Sequence, residues 1–306
     1  MDAGAIAIAA FYKFLSITSD EVAAVRADLE QFAREHDLKG LVVLGTEGIN
    51  ATVAGTPEVI AALKEFVRTR LSAPDITFKD SSAEKMPFAR FKVDVRSEIV
   101  TTKNLEISVE DSRGTYLSPK EWHEMLASDS DIVVVDTRND YETEVGIFEG
   151  AVDPKIKKFS DFKHYVEREG LPRDKKLLLY CTGGIRCEKA VPEVKQLGYE
   201  NVYQLEGGIL RYLEEYPDGH FKGECFVFDH RVAVDSNLQP SKKYKLCPHC
   251  GNPAQEAIQC TKCGTAAVVC HRCVEREDLK SCSKNCAHHI RLRKERESGV
   301  RRGAQG

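Results

Sequence analysis

Leu177-Leu178-Leu179-Tyr180-Cys181-Thr182-Gly183-Gly184-Ile185-Arg186-Cys187 is the stretch that decides the fold. Four consecutive large apolar side chains leave no face for water, so the strand they form is buried on both sides. That is the situation of a parallel sheet covered by helices. After the cysteine and the glycines, Ala190, Val194 and Leu197 fall at helical spacing. Residues 132–135 make a second such strand, ending in Asp136-Thr137-Arg138, and residues 202–205 a third, ending in Glu206-Gly207-Gly208. Ser118-Pro119 opens an earlier helix on which Trp122 reads as core. Strands alternating with helices predict an α/β domain over residues 115–222. In such sheets the chemistry sits beyond the C-terminal strand ends, where all three polar clusters stand.

The loop between strand and helix points to a reactive sulfur. A cysteine facing a helix N-terminus meets unpaired amide N–H groups and the positive end of the helix dipole, which favour an anion and so lower the thiol pKa. Thr182, Gly183, Gly184 and Ile185 supply the backbone, and the glycines let it curl without Cβ clashes. Arg186 adds positive charge. Such a cradle suits a thiolate, a persulfide or an oxyanion. Cys187 stands close enough to resolve an oxidised Cys181, or to serve as a structural thiol. Asp136 and Arg138 are expected to pair and brace the active loop.

Upstream, residues 6–15 read as a strand. Thr18 and Glu21 are a capping-box pair, and Val22, Val25, Leu29 and Phe32 share one helical face. Residues 41–44 and 50–53 are short strands joined by Gly45-Thr46-Glu47-Gly48, with Glu47 and Asn50 read as turn-forming. Thr56-Pro57 starts a helix bearing Ile60, Leu63 and Val67, and residues 76–79 read as a strand. The order β-α-β-β-α-β predicts a ferredoxin-like α+β domain over residues 1–105. Arg90, Lys92, Arg96 and Lys103 follow as a basic cluster.

The chain has 306 residues, 30% of them charged, at a net charge of −4. From Glu224 onward it carries 15 Lys/Arg against 9 Asp/Glu, a net +6, whereas the first 223 residues carry 29 against 39, a net −10. A basic tail on an acidic body suggests a polyanion partner. No apolar run reaches the roughly 20 residues of a spanning helix, so no membrane partner is expected. The first ten residues lack a basic n-region and read as strand, not signal peptide. A cytoplasmic location follows, and the 11 cysteines are expected as thiols, catalysts or metal ligands.

Residues 223–306 hold nine of those cysteines. Cys247 and Cys250, Cys260 and Cys263, and Cys270 and Cys273 are CxxC pairs, followed by Cys282 and Cys286. Each pair presents two sulfurs to one tetrahedral ion, so four pairs predict two structural zinc sites with no open position for water. A sequential scheme joins the first pair to the second. A cross-braced scheme joins Cys247 and Cys250 to Cys270 and Cys273, and is favoured because its longer internal loops are less strained. His249, His271, His288 and His289 are spare nitrogen ligands, and the nearby basic residues are expected to meet phosphates. The last residues, with Arg301-Arg302, are expected as a solvated or disordered tail. Cys225 fits no pair. No flavin or nicotinamide fingerprint is present.

Cys181 with Gly184 and Arg186 resembles the six-residue active loop of rhodanese domains. Asp136-Thr137-Arg138 with Tyr141-Glu142, the stretch Gly146-Ile147-Phe148-Glu149-Gly150-Ala151, and Leu205-Glu206-Gly207-Gly208-Ile209 are similar to that family's other motifs, departing at Ile147 and Glu149. Thr46-Glu47-Gly48-Ile49-Asn50, the stretch from Pro87-Phe88 to Val100-Thr101, and Gly223-Glu224-Cys225-Phe226-Val227-Phe228-Asp229 flank this unit in order. That arrangement resembles the bacterial tRNA uridine hydroxylase family. The resemblance implies oxygen-dependent 5-hydroxylation of the wobble uridine, position 34, with molecular oxygen as co-substrate, the anticodon arm of tRNA as partner, and an essential cysteine at Cys181. Rival readings are a sulfurtransferase passing persulfide sulfur to an acceptor, a non-catalytic RNA- or protein-binding adaptor, and an arsenate reductase or phosphatase. The six-residue loop speaks against the last, whose loop is usually one residue longer.

Overall fold

A computed structural model of the chain describes residues 6–104, 107–128 and 130–303. They form two compact units. The first holds the residues up to Asp229 together with Val234–Pro240, and the second His230–Ala233 with the residues from Ser241 onward.

Within the first unit, β1 (Ile6–Phe14), α1 (Ser19–Glu35), β2 (Lys39–Gly45), β3 (Gly48–Gly55), α2 (Pro57–Arg70) and β4 (Lys79–Ala83) follow the expected split βαβ order. The sheet runs β4-β1-β3-β2, and β5 (Phe91–Val95) extends it in parallel beside β2. The capping box before α1 forms: the Glu21 amide donates to Thr18 Oγ1 at 3.3 Å, and the Thr18 amide to the Glu21 carboxylate at 2.9 Å. Val22, Val25 and Leu29 of α1 and Ile60, Leu63 and Val67 of α2 pack with Phe11, Val42, Leu44 and Ala51 of the sheet. Each such side chain contributes about 1.5–3 kcal/mol by leaving water. The fourth strand departs from the expectation of residues 76–79. Ile76 is buried in the core without joining the sheet, and pairing begins at Lys79, opposite Ala10. An apolar residue there reports burial, not extended pairing.

The second sheet of this unit is built from β6 (Tyr116–Leu117), α3 (Pro119–Ser128), β7 (Ile132–Asp136), α4 (Asp140–Thr143), β8 (Gly146–Phe148), α5 (Phe162–Glu169), β9 (Lys176–Tyr180), α6 (Cys187–Gln196), β10 (Val202–Leu205), α7 (Gly208–Glu215) and β11 (Phe221–Gly223). Its order is β6-β10-β9-β7, all parallel, with β8 and β11 paired antiparallel alongside. The apolar run of β9 is explained by two cores. Leu177 and Leu179 enter one with Phe162, Val166 and Val194, whereas Leu178 and Tyr180 enter the other with Trp122, Phe148, Ile209 and Tyr212. Trp122 is core, as expected, with its ring 5.7 Å from Phe148.

The second unit holds two short antiparallel ladders, Lys245–Leu246 with Pro253–Ala254 and Glu256–Gln259 with Ala266–Val269. The last residues, expected as a solvated or disordered tail, form a helix over Lys284–Gly303; residues 304–306 lie outside the described residues. A polar helix anchored at one end by packed residues such as Ala287 and Ile290 needs no apolar stripe along its length.

Candidate active site

β9 delivers Cys181 to the C-terminal edge of the parallel sheet, and α6 begins at Cys187, so the six loop residues are clamped between two buried elements. The Gly184 amide donates to Cys181 Sγ at 3.1 Å. Gly184 reaches that geometry with φ of +97°, a region costly for residues with a Cβ. From the other side, the amides at the start of α7 donate to the loop carbonyls: Ile209 to Cys181 at 3.0 Å and Leu210 to Thr182 at 3.1 Å. A Cβ on Gly208 would stand 2.6 Å from the Cys181 carbonyl oxygen, so the loop can seat there only over glycine.

Burial alone would push the Cys181 thiol up. A hydrogen bond from the Cys187 thiol, the Arg186 charge and the amides of Arg186 and Gly184 outweigh it and bring the pKa down to about 5. Cys187 moves the opposite way, raised by burial and by its thiolate neighbour, so it holds the proton and donates it. Thr137 lies 3.8 Å from the Cys187 sulfur. The Cys181 side chain has no exposed surface; Gly183 and Ile185 form the half-buried rim. The same enclosing backbone that stabilises the anion also covers it, so a reactant has to displace part of the rim.

A first prediction follows from this pKa. The thiolate absorbance of the wild type, taken as a difference against Cys181→Ser, titrates near pH 5, not near the ordinary ~8.5. Because the folded-state pKa is depressed, this group's stabilising contribution is fully present above the unfolded pKa and is lost as pH falls towards 5. A difference titration centred above pH 8 would refute the cradle.

Arg186 is buried and forked on Glu142, with Nη1 to Oε2 at 2.6 Å and Nη2 to Oε1 at 2.7 Å. Asp136 and Arg138 do pair, with no exposed surface on either and Nη2 to Oδ2 at 2.7 Å. The brace runs elsewhere than expected, since Arg138 also donates to the Gly146 carbonyl at 2.6 Å and so ties β8 to the sheet edge. Cys225 is a buried thiol whose pKa burial pushes up to about 12, which makes it unreactive.

The first sheet reaches into this site. Tyr12 of β1 lies so close that a Cβ on Gly184 would meet its hydroxyl at 3.0 Å, and the Lys79 stem is the neighbour a Cβ on Gly183 would meet, at 3.8 Å. Burial lowers the Lys79 pKa, against the opposing pull of the Cys181 charge. Tyr12, Ser112 and Tyr116 hydroxyls all donate to the buried Glu188, at 2.8, 2.8 and 2.7 Å. Beside it Lys189 Nζ binds Glu47 at 2.9 Å and Glu98 at 2.8 Å. Glu47 and Asn50 therefore do more than form a turn: Glu47 also accepts the Ile99 amide at 2.6 Å, and the Asn50 amide side chain donates to the Ile99 carbonyl at 3.2 Å. Of the basic cluster, Lys92 and Arg96 both pair with Asp94.

In the second unit, Cys247, Cys250, Cys270 and Cys273 gather into one group and Cys260, Cys263, Cys282 and Cys286 into another, each with its sulfurs within 4.8 Å of one another. This is the cross-braced pairing. The sulfur–sulfur edges include 3.5 and 3.7 Å in the first group and 3.6, 3.7 and 3.9 Å in the second. A regular tetrahedron of sulfurs about 2.3 Å from its centre has edges of about 3.8 Å. Both groups could hold a metal ion by thiolates alone. His249 is no ligand and hydrogen-bonds the Ser281 carbonyl at 2.8 Å.

Family models match this chain in three consecutive stretches: the UPF0176 acylphosphatase like domain over residues 6–99, a rhodanese-like domain over 118–227 and a rhodanase C-terminal region over 222–287. A tRNA uridine(34) hydroxylase of Bdellovibrio bacteriovorus is 48% identical over 285 residues, covering 92% of this chain and 81% of that protein. Proteins of the same name from Teredinibacter turnerae and Rhizobium etli are 43% and 42% identical, covering 84% and 87% of their own lengths. The chain belongs to the tRNA uridine(34) hydroxylase family. Its three matched regions correspond to the ferredoxin-like, rhodanese-like and cysteine-rich parts expected of the family.

Sequence reasoning missed Glu142 as the partner of Arg186, although the residue stood in a quoted motif. Its signal was weak: the capping-box spacing from Asn139 explains it equally well, and that box is also present. Glu142→Gln leaves a buried guanidinium without its counter-charge, which costs about 3–5 kcal/mol. The expected result is a correspondingly lower urea midpoint, with Cys181 still ionised near neutral pH because Arg186 keeps its charge. An unchanged midpoint would show the pair to be dispensable.

Proposed function

We propose that this chain hydroxylates uridine 34 of tRNA at C5, using Cys181 as the reacting group and molecular oxygen as co-substrate. The observation that carries the reading is the buried, amide-bound sulfur within a chain whose relatives across nearly all its length bear that activity in their names. In this reading the anticodon arm is the part of tRNA recognised. The base leaves the stack, because chemistry on a ring carbon cannot occur within it. The thiolate adds to C6 of the uracil and the C5–C6 electrons move onto C5 and O4; C5 then bonds one atom of O2, the other leaves as water with two electrons and two protons from a reductant supplied from outside the chain, and loss of the C5 proton restores the C5–C6 double bond and expels the thiolate. Arg186 and the loop amides hold the negative charge of the sulfur before this addition and again once the thiolate is expelled, while Cys187 keeps its proton and returns a hydrogen bond to the sulfur. Glu142 positions Arg186, while Asp136 and Arg138 hold β8 at the sheet edge. Zinc is the metal that suits both four-cysteine groups of the tail, where it supplies structure without open coordination. A tRNA substrate is consistent with work in the cytoplasm, and among the described residues no helix is long and apolar enough to cross a membrane.

The test is mass spectrometry of tRNA from cells lacking the protein. Restoring the wild type is expected to restore 5-hydroxyuridine at position 34, and Cys181→Ser is not. Rapid thiosulfate-to-cyanide sulfur transfer without RNA, together with absent hydroxylation, would overturn the reading in favour of a sulfurtransferase.

A further inference from the structure

Phe228 is an exposed phenyl ring beside the active loop's Arg186. It is 55% exposed, yet it is fixed at two sides. The Arg186 guanidinium lies over its ring at 5.8 Å from the centroid, and Phe226 meets it at 88° with centroids 5.0 Å apart. Phe226 in turn is held edge-on by Tyr141 at 5.3 Å. Tyr141 neighbours Glu142, the residue that forks Arg186. The exposed ring is therefore locked to the same short segment that locks the active loop. A flexible surface phenylalanine would not be held this way.

Taking the hydroxylase reading as its basis, we propose that the open part of Phe228 is the stacking platform for the uracil ring that enters the Cys181 loop. A flipped base loses its neighbours in the helix and needs a flat apolar surface to replace them. Phenylalanine presents one at small entropic cost, since its own neighbours already fix the rotamer. Arg186 behind the ring strengthens the arrangement, because a cation over one face draws electron density from the ring and favours stacking of the base on its other side. The platform sits against Arg186, the last residue of the loop. It discriminates bases weakly, as every base has a π face, and it serves to hold a base outside the stack.

The experiment uses the full chain. Base–aromatic stacking measured by alanine substitution is worth about 1–3 kcal/mol, so Phe228→Ala is expected to lower kcat/KM for tRNA about 5- to 150-fold. Phe228→Tyr keeps the ring and is expected to stay within about twofold, and an unchanged Cys181 thiolate titration checks that the loop has survived. The second readout is independent of turnover. The chain has a single tryptophan, Trp122, which is fully buried, so Phe228→Trp adds the one indole open to solvent. Its emission is expected to be quenched by an anticodon stem-loop carrying uridine 34, and not by the same stem-loop abasic at that position. Equal quenching by both, or Phe228→Ala with wild-type kinetics, overturns the platform. If the wild type hydroxylates nothing while the quenching still depends on the base, the platform stands and the hydroxylase reading falls instead.

Discussion

Cys181→Ser is expected to abolish formation of 5-hydroxyuridine, with kcat down by about 10³-fold or more, while the stability of the first unit to urea, measured at pH 4 where the wild-type thiol is itself protonated, stays within about 1 kcal/mol of the wild type. The two halves of this expectation share one cause. The serine hydroxyl is close to the thiol in size and fits the same space between β9 and α6. Its pKa, however, is so high that the Arg186 charge and the loop amides cannot ionise it, and a protonated hydroxyl does not add to C6 of a uracil. The cradle is preserved and the reacting anion is gone. Purified variant and tRNA in a single-turnover assay, read by mass spectrometry, measure the first half, and urea unfolding the second. Residual hydroxylation within tenfold of wild type would remove the sulfur from the mechanism. A large loss of stability would mean that Cys181 is there to fill the core.

What could be read from the sequence was what depends on near neighbours. The β9 run of apolar residues, the glycines after Cys181 and the CxxC pairs each carry their meaning within a few positions, and each appears in the structure as expected. The favoured cross-bracing also holds, because it followed from loop lengths. The contacts that escaped link positions far apart in the chain. Lys189 lies 142 residues from Glu47, and Tyr12 lies 176 residues from Glu188. Glu188-Lys189 looks like an ordinary exposed pair on a helix start, and only the packing of the first sheet against α6 buries it. Glu142 escaped for a different reason: a local capping role was sufficient to account for it. The burial of Cys181 escaped because glycine loops look the same in sequence whether they open a site or close it.

Stripping the metal from the tail is expected to unfold the second unit outright. One cluster of its buried residues is Cys247, Ala254, Val269, Cys270 and Cys273, and three of those five are cysteines of a group that could hold a metal ion. Without the ion, Ala254 and Val269 remain there with half-buried neighbours such as Ile258 and Leu279, and Tyr244, Ala287 and Ile290 elsewhere in the unit, far too little to offset the ordering of some 60 residues at about 1–2 kcal/mol each. Structural zinc sites contribute on the order of 10–16 kcal/mol, and that contribution replaces the missing core. Two zinc ions on eight thiolates would add a formal −4, leaving the segment from Glu224 onward at +2 instead of +6. Hydrogen exchange of the full chain after treatment with a strong chelator is the measurement. The amides of the two short ladders are expected to lose protection, those of β9 and β7 to keep theirs, and the metal released to amount to two ions per chain. Ladder amides that stay protected in the metal-free protein would mean that the thiolate groups are not what folds this unit, and the tail would then need a different source of stability.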